Sequence, residues 1–348
     1  MTPHQTDLAL ETPIDREYHQ LPSAKSDRWA SILPSEYWHY RHKWEENPKH
    51  HIVGTFPLHL DIEATSACNL KCTMCPRTDM IKDGTFWKIE MFDFELYKRL
   101  IDEGVQNGLC SIKYNILGEP ILNARLIEMI QYAKQAGVID VMFNTNATRL
   151  DEALSRQLIA SGLDQLFFSV DSPNPDHFNR IRVGADFDQV LANIKRFMAI
   201  RTEMGVIKPF TRVSMVIMQG NEHEWQACKT LFEPIVDAVG YGDYLDHTGQ
   251  SHPDMLINTL PEEKQAKFCC PQLWQRMFVH PDGVVTVCCV DSARTLQVGN
   301  VFEQSAQHIW LGEPYQRLRE LHATGRFEEI PTCAQCPLSK LDDEGGAR

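Results

Sequence analysis

Between residues 57 and 245 the chain alternates two hydrophobic rhythms. Short apolar or β-branched runs occur at FPLHLDIEAT (56–65), SIKYNIL (111–117), VIDVMFNTN (138–146), QLFFSV (165–170), RVSMVIM (212–218) and, more weakly, IVDAVGYGDY (235–244). These read as strands. Between them lie stretches with the helical period: MFDFELYKRLIDEGV, ARLIEMIQYAKQAG, LDEALSRQLIASG, FDQVLANIKRFMAIRTEMG and EHEWQACKTLFEP. Four of these five carry or precede a terminal Gly or Pro that stops a helix. The pattern predicts six βα units on a parallel sheet, an α/β fold. Six units are too few for a closed eight-stranded barrel but suffice for a partial (β/α)6 TIM-like barrel. Chemistry in such folds sits at the C-terminal ends of the strands.

The flanks lack this alternation. Residues 1–55, with DRWASILPSEYWHYRHKWEENPKHH, show no long period and read as an N-terminal extension whose short helix packs Trp and Tyr on the barrel. Past about residue 250 cysteines dominate, so the barrel is assigned to 56–250 and a separate domain to 251–348. There is no internal repeat or low-complexity tract.

Composition narrows the classes. With 348 residues, 43% of them hydrophobic, the chain can bury a large core. A net charge of −13 argues against a nucleic-acid backbone as partner. The start has no basic n-region or apolar h-region, and no run reaches the length of a membrane span. A cytoplasmic location without membrane contact is expected. Eleven cysteines are then unusual, because reducing conditions and an odd count both argue against a disulfide framework. Their clustering points to metal binding instead. Lone Cys110 and Cys228 read as core thiols.

The segment IEATSACNLKCTMCPR places Cys68, Cys72 and Cys75 in a C-x3-C-x2-C frame just after the first predicted barrel strand. Three thiolates can hold three irons of a [4Fe–4S] cube and leave the fourth iron open. Zinc would want a fourth protein ligand, and no paired Cys or His follows within thirty residues.

This frame, with Met74 before the last Cys, resembles the radical S-adenosylmethionine (radical SAM) superfamily. The likeness continues down the barrel. LGEP, with Gly118 and Glu119, is similar to the GGEP motif whose backbone meets the methionine amino group; Leu117 replaces its first Gly. NTNA and SVDS match the polar positions that hold ribose and carboxylate, which implies Asn146, Ser169 and Asp171, with Arg182 of RIRVGADF as a further candidate. Asn and Ser at strand ends are also ordinary turn and cap residues; here they occur in order, strand after strand. The resemblance implies S-adenosyl-L-methionine on the open iron, cleaved by one electron to a 5′-deoxyadenosyl radical that abstracts hydrogen from substrate. It also implies oxygen sensitivity and a flavodoxin-type electron donor.

CCPQLWQRMFVHPDGVVTVCC predicts a hairpin through the PDG turn that brings Cys270 and Cys288 together, and CAQC adds Cys333 and Cys336. Four thiolates complete the ligand set of a second [4Fe–4S] cluster; a four-Cys zinc site is the alternative. The pattern resembles the first half of a SPASM domain, shortened to a twitch domain with one auxiliary cluster. Its spacing is similar to that of the aminocyclitol-oxidising 2-deoxy-scyllo-inosamine dehydrogenases.

The resemblance therefore implies oxidation of a secondary alcohol on a sugar or aminocyclitol, with the auxiliary cluster as electron acceptor. Asp291 and His280 are candidate general bases. Cys269 and Cys289 are spare thiols, and Cys289 would be the hydrogen donor if the enzyme were a radical epimerase. Adjacent strand residues face opposite ways, so one of each vicinal pair can equally be packing. Peptide or protein modification is a further alternative, disfavoured because the first 55 residues are too short and irregular for a peptide-binding winged-helix domain. A noncatalytic iron–sulfur carrier would need no GEP or NTN motif.

Overall fold

The computed structural model describes residues 18–20, 24–246, 252–256 and 268–340. Six parallel strands follow the expected order: β2 (His59–Ile62), β3 (Ser111–Lys113), β4 (Asp140–Thr145), β5 (Gln165–Ser169), β6 (Phe210–Ile217) and β7 (Ala238–Asp243). The helices after β3, β4 and β5 are Leu126–Ala136, Glu152–Ala160 and Phe187–Glu203, and Phe94–Asn107 precedes β3. Their ends are chemically marked. The Asp93, Asp151 and Asp186 carboxylates accept from the N–H groups of Leu96, Leu154 and Gln189, and Gly108 and Gly137 close two C-termini in the left-handed region.

Among the described residues the sheet has ten strands. At one edge β1 (Tyr18–Gln20) pairs antiparallel with β7. At the other, β8 (Arg276–Val279) pairs parallel with β2, followed by the antiparallel β9 (Val284–Thr286) and β10 (Gln297–Asn300). The cysteine-rich segment thus contributes a strand directly beside the first strand of the partial barrel. The apolar alternation of RMFV explains why. Met277 and Val279 join the core cluster that also contains Leu60, Ile62, Ile112, Val141 and Phe143.

The opposite face of β2 is polar. Along β2 and its extension, Leu60, Ile62 and Ala64 pack in that core, so His59, Asp61 and Glu63 face the barrel interior. The base of the barrel is sealed from below. Trp29 of the helix Ala24–Ser31 packs with Met142, Phe167, Phe210 and Ala238. Tyr37, Tyr40 and Trp44 of the helix Ser35–Lys49 pack with Leu58. Phe210 and Ala238 open their strands and Leu58 precedes β2, so both clusters mark the N-terminal ends. The C-terminal ends are left for chemistry. Among the described residues no helix is long and apolar enough to cross a membrane.

Trp29 is 1% exposed. Trp29→Ala is expected to cost about 3–5 kcal/mol, read as a lower urea midpoint at unchanged slope. A loss below about 1 kcal/mol would mean that this helix does not seal the base.

Candidate iron–sulfur and S-adenosylmethionine site

Cys68, Cys72 and Cys75 lie on the loop after β2, and contacts from the segments that follow β4 and β5 fix its path. Lys71 and Thr73 donate N–H bonds to the carbonyls of Val183 and Ile181, each at 2.9 Å. Asn69 donates to Thr148 Oγ1 at 2.8 Å and accepts from Asn146 Nδ2 at 3.1 Å. Arg77 Nε donates to Ser66 O at 2.9 Å, and its guanidinium lies 5.0 Å from the Phe86 ring centre. Burial pushes all three thiols up, Cys72 to about 12, and the proximity of Cys75 and Cys68 raises Cys72 further. Three mutually repelling thiols held out of water become thiolates only against a cationic centre.

The GEP loop runs against this loop at backbone distance. Glu119 N donates to Ala67 O at 2.8 Å, and a Cβ at Gly118 would lie 1.7 Å from Thr65 O. Only glycine fits at 118. The Glu119 carboxylate accepts from Thr145 Oγ1 at 2.8 Å and from Asn146 N at 2.7 Å, which ties the loop to the end of β4. Burial nevertheless raises Glu119 to about 7. Asn146 Oδ1 accepts from Thr148 N and Oγ1 in a local turn that places Ala147 at φ +57°. Asp171 is fully buried, accepts from Val216 N at 2.9 Å and pairs with Arg182 at 2.7 Å. Ser169 is half-buried opposite Ser214. Met74 packs beside Ile181, Met218 and Tyr244. These residues converge on one rim, yet Glu119, Asn146 and Asp171 are largely committed to holding loops. What they leave for a ligand is exposed backbone, the Ser169 hydroxyl and Arg182 Nε, which has no hydrogen-bond partner among the described residues.

The C-terminal thiols form a second centre. Cys270, Cys288, Cys333 and Cys336 line one cavity, together with apolar groups such as Phe268, Leu273, Val287 and Leu318. Burial drives Cys270 well up and Cys333 to about 12. Among the described residues no group of three His, Cys, Asp or Glu is placed to hold a metal ion; the four thiols share the lining of one cavity. His322, which no sequence motif flagged, shares the cavity: its Nδ1 accepts from Cys270 N at 3.2 Å and its Nε2 lies 3.4 Å from Cys333 Sγ. Burial lowers His322 to about 4.

The spare thiols are not among the residues that line this cavity. Cys269 Sγ sits 3.6 Å from His51 Nε2, and Cys289 Sγ accepts from Gln272 Nε2 at 3.0 Å. A hydrogen bond with Cys288 lowers Cys289, and the nearby Arg276 charge lowers it further.

At the barrel mouth Glu63 is fully buried. Its Oε1 accepts from the N–H groups of Leu117 and Gly118 at 3.0 and 3.2 Å. Its Oε2 meets His280 Nδ1 at 3.1 Å, and His280 Nε2 lies 3.1 Å from Thr286 Oγ1. Glu63 was missed in the sequence; the only signal is its place in the inward period of HLDIE. Asp291 is occupied differently. Its two oxygens accept from Thr295 N, Thr295 Oγ1 and Leu296 N, which makes it the keystone of its own loop rather than a free base.

This thiol loop, clamped on the rim of a partial βα barrel beside the GEP loop, has the layout of a radical SAM domain. The family model of that superfamily matches residues 62–227, which form such a domain. Residues 269–337 match the SPASM model, an iron–sulfur cluster-binding domain. The tungsten-containing aldehyde ferredoxin oxidoreductase cofactor-modifying protein of Pyrococcus furiosus is 25% identical over 82% of this chain and 88% of its own length. Matches to GTP 3′,8-cyclases are shorter; the chain spans 61% of the one from Desulforamulus reducens. Two solved structures share the fold. BtrN in complex with AdoMet and 2-DOIA is 18% identical, with a TM-score of 0.52 over 80% of this chain and 92% of BtrN. Streptococcus suis SuiB bound to precursor peptide SuiA is also 18% identical, with a TM-score of 0.55 over 88% of this chain and 75% of SuiB. The cofactors of this family are a [4Fe–4S] cluster with S-adenosylmethionine and, through SPASM, auxiliary iron–sulfur. Both thiol sets and the partnerless Arg182 Nε suit that complement.

Gly118→Ala is expected to force the GEP and cysteine loops apart and abolish S-adenosylmethionine binding in equilibrium dialysis; retained binding would contradict the close approach. Glu119 gives a pH signature in the iron-free chain. Burial raises its pKa on folding from 4.5 to about 7, so the unfolded chain ionises first. Its contribution to stability is therefore greatest below 4.5 and declines as pH climbs to about 7. Urea midpoints of wild type relative to Glu119→Gln should fall across that window and level off above it.

Proposed function

We propose that this chain oxidises a secondary alcohol of a sugar or aminocyclitol. In this reading Cys68, Cys72 and Cys75 hold the first cluster, and Cys270, Cys288, Cys333 and Cys336 hold the auxiliary one. The observation that carries it is the β2–β8 pairing, which sets the four-thiol cavity beside the strand that leads into the first cysteine loop. When bound, the cofactors supply hydrogen-atom abstraction at the first site and a one-electron acceptor at the second.

The chain's own part is orientation and proton handling. An ionised carboxylate only accepts, so Glu63 fixes the His280 proton on Nδ1 and leaves Nε2 basic toward Thr286. His280 is 2% exposed and sits at the barrel mouth. A carbinol proton passes to Nε2, directly or through Thr286 Oγ1. With the hydrogen atom and one electron also removed, the alcohol loses two hydrogens in total and becomes a carbonyl. Trp87 Nε1 and Arg294 Nε and Nη2 have no hydrogen-bond partners among the described residues, and Trp87 edges onto His280 at 5.9 Å. Such donors suit a substrate rich in hydroxyls. Epimerisation is less well served. Cys289 accepts from Gln272 Nε2 and lies by the Arg276 charge, so its sulfur is already engaged. A flavodoxin-type protein is the proposed electron source for the first cluster. The name of the Pyrococcus relative motivates a second reading, action on a larger oxidoreductase cofactor, and the peptide bound to SuiB motivates a peptide substrate, so both belong in the substrate screen.

Anaerobically reconstituted wild type is expected to hold about eight irons per chain, and the Cys68→Ala/Cys72→Ala/Cys75→Ala variant about four. With substrate, 5′-deoxyadenosine and carbonyl product should form together, whereas Cys333→Ala/Cys336→Ala should release 5′-deoxyadenosine without the carbonyl. About four irons in wild type, all lost in the triple variant, would remove the acceptor and sink the oxidation. His280→Gln should lower carbonyl formation about 100-fold or more; an unchanged rate would exclude it as the base.

A further inference from the structure

His322 has no part in the ligand set, yet two of the four auxiliary thiol residues touch it. It lies in the last turn of the helix Glu313–Ala323 and is 2% exposed. Phe327 stacks on its ring at 5.8 Å between centres, and Phe268 meets it edge-on at 6.1 Å, so the ring plane is fixed by packing. The Cys270 N–H donates to Nδ1 at 3.2 Å. A ring nitrogen that accepts from a backbone N–H carries no proton, which puts the single proton of the neutral ring on Nε2. That nitrogen lies 3.4 Å from Cys333 Sγ. The backbone of one cysteine therefore selects the tautomer, and the tautomer aims a donor at the sulfur of another.

Donation to a cluster sulfur favours the more negative, reduced state and raises its potential. We infer that His322 is a positioning residue that sets the auxiliary cluster's potential through an Nε2–H···Sγ bond to Cys333, making that cluster a better electron acceptor. The inference rests on the reading of Cys333 as a cluster ligand. It assigns a tuning role to a residue outside every cysteine motif.

The test uses full-length protein in the Cys68→Ala/Cys72→Ala/Cys75→Ala background, where only the auxiliary cluster remains. The Gln amide nitrogen reaches about as far as Nε2 of histidine, whereas the Asn amide reaches only as far as Nδ1. His322→Gln thus keeps a donor for Cys333, and His322→Asn keeps only a partner for Cys270. Iron per chain and the midpoint potential by EPR-monitored redox titration are measured for both. At equal iron, the potential is expected to fall in His322→Asn and to stay near the parent in His322→Gln. Parent potentials in both variants, or equal falls in both, would overturn the inference while leaving the cluster assignment intact. Loss of iron in both would make His322 a structural support and overturn it as well. A background that binds no iron would defeat the reading of the C-terminal thiols itself, and the inference with it.

Discussion

A buried carboxylate must be given donors, and Glu63 draws them from both halves of the molecule. The Leu117 and Gly118 N–H groups bind one oxygen, His280 binds the other, and the Glu63 N–H donates to Val279 O at 2.9 Å. Removing a partner from such a buried charge costs about 3–5 kcal/mol. The GEP loop, the strand leading into the first cysteine loop and the auxiliary hairpin are consequently held as one unit. The relation between the two thiol sites is set by sheet hydrogen bonds and this carboxylate, rather than by the length of the linking chain.

The second constraint is electrostatic. Burial raises Cys68, Cys72 and Cys75, and likewise Cys270 and Cys333, while a hydrogen bond with Cys289 and then burial raise Cys288, so the iron-free chain keeps these thiols protonated. Loading either site with iron must expel those protons, which couples assembly to pH. The fold prepares for the charge: Arg182 and Asp171 form an ion pair beside Cys72, and His322 lines the auxiliary cavity.

Much of this was readable in the chain. The six parallel strands followed from period-2 runs separated by helical ones, because each had to bury one face against helices. Leu117 departs from the first Gly of the family motif, and the structure explains why this is tolerated: its contribution is a backbone N–H to Glu63, whereas Gly118 meets Thr65 O and admits no Cβ. Asp291 and His280 looked equivalent as candidate bases. Three donors claim Asp291 for its loop, and only His280 reaches the mouth.

Local information ends where partners are distant in sequence. Cysteine spacing, strand periodicity and the Asp and Gly caps are properties of short segments, and the sequence alone determined the barrel, both thiol sets and the order of the rim motifs. The tertiary structure alone decided that β8 lies against β2, that Glu63 joins His280 across 217 residues, and that His322 meets Cys270 across 52. Such contacts follow from burying polar groups with satisfied hydrogen bonds, a condition met only when the whole sheet has closed around them.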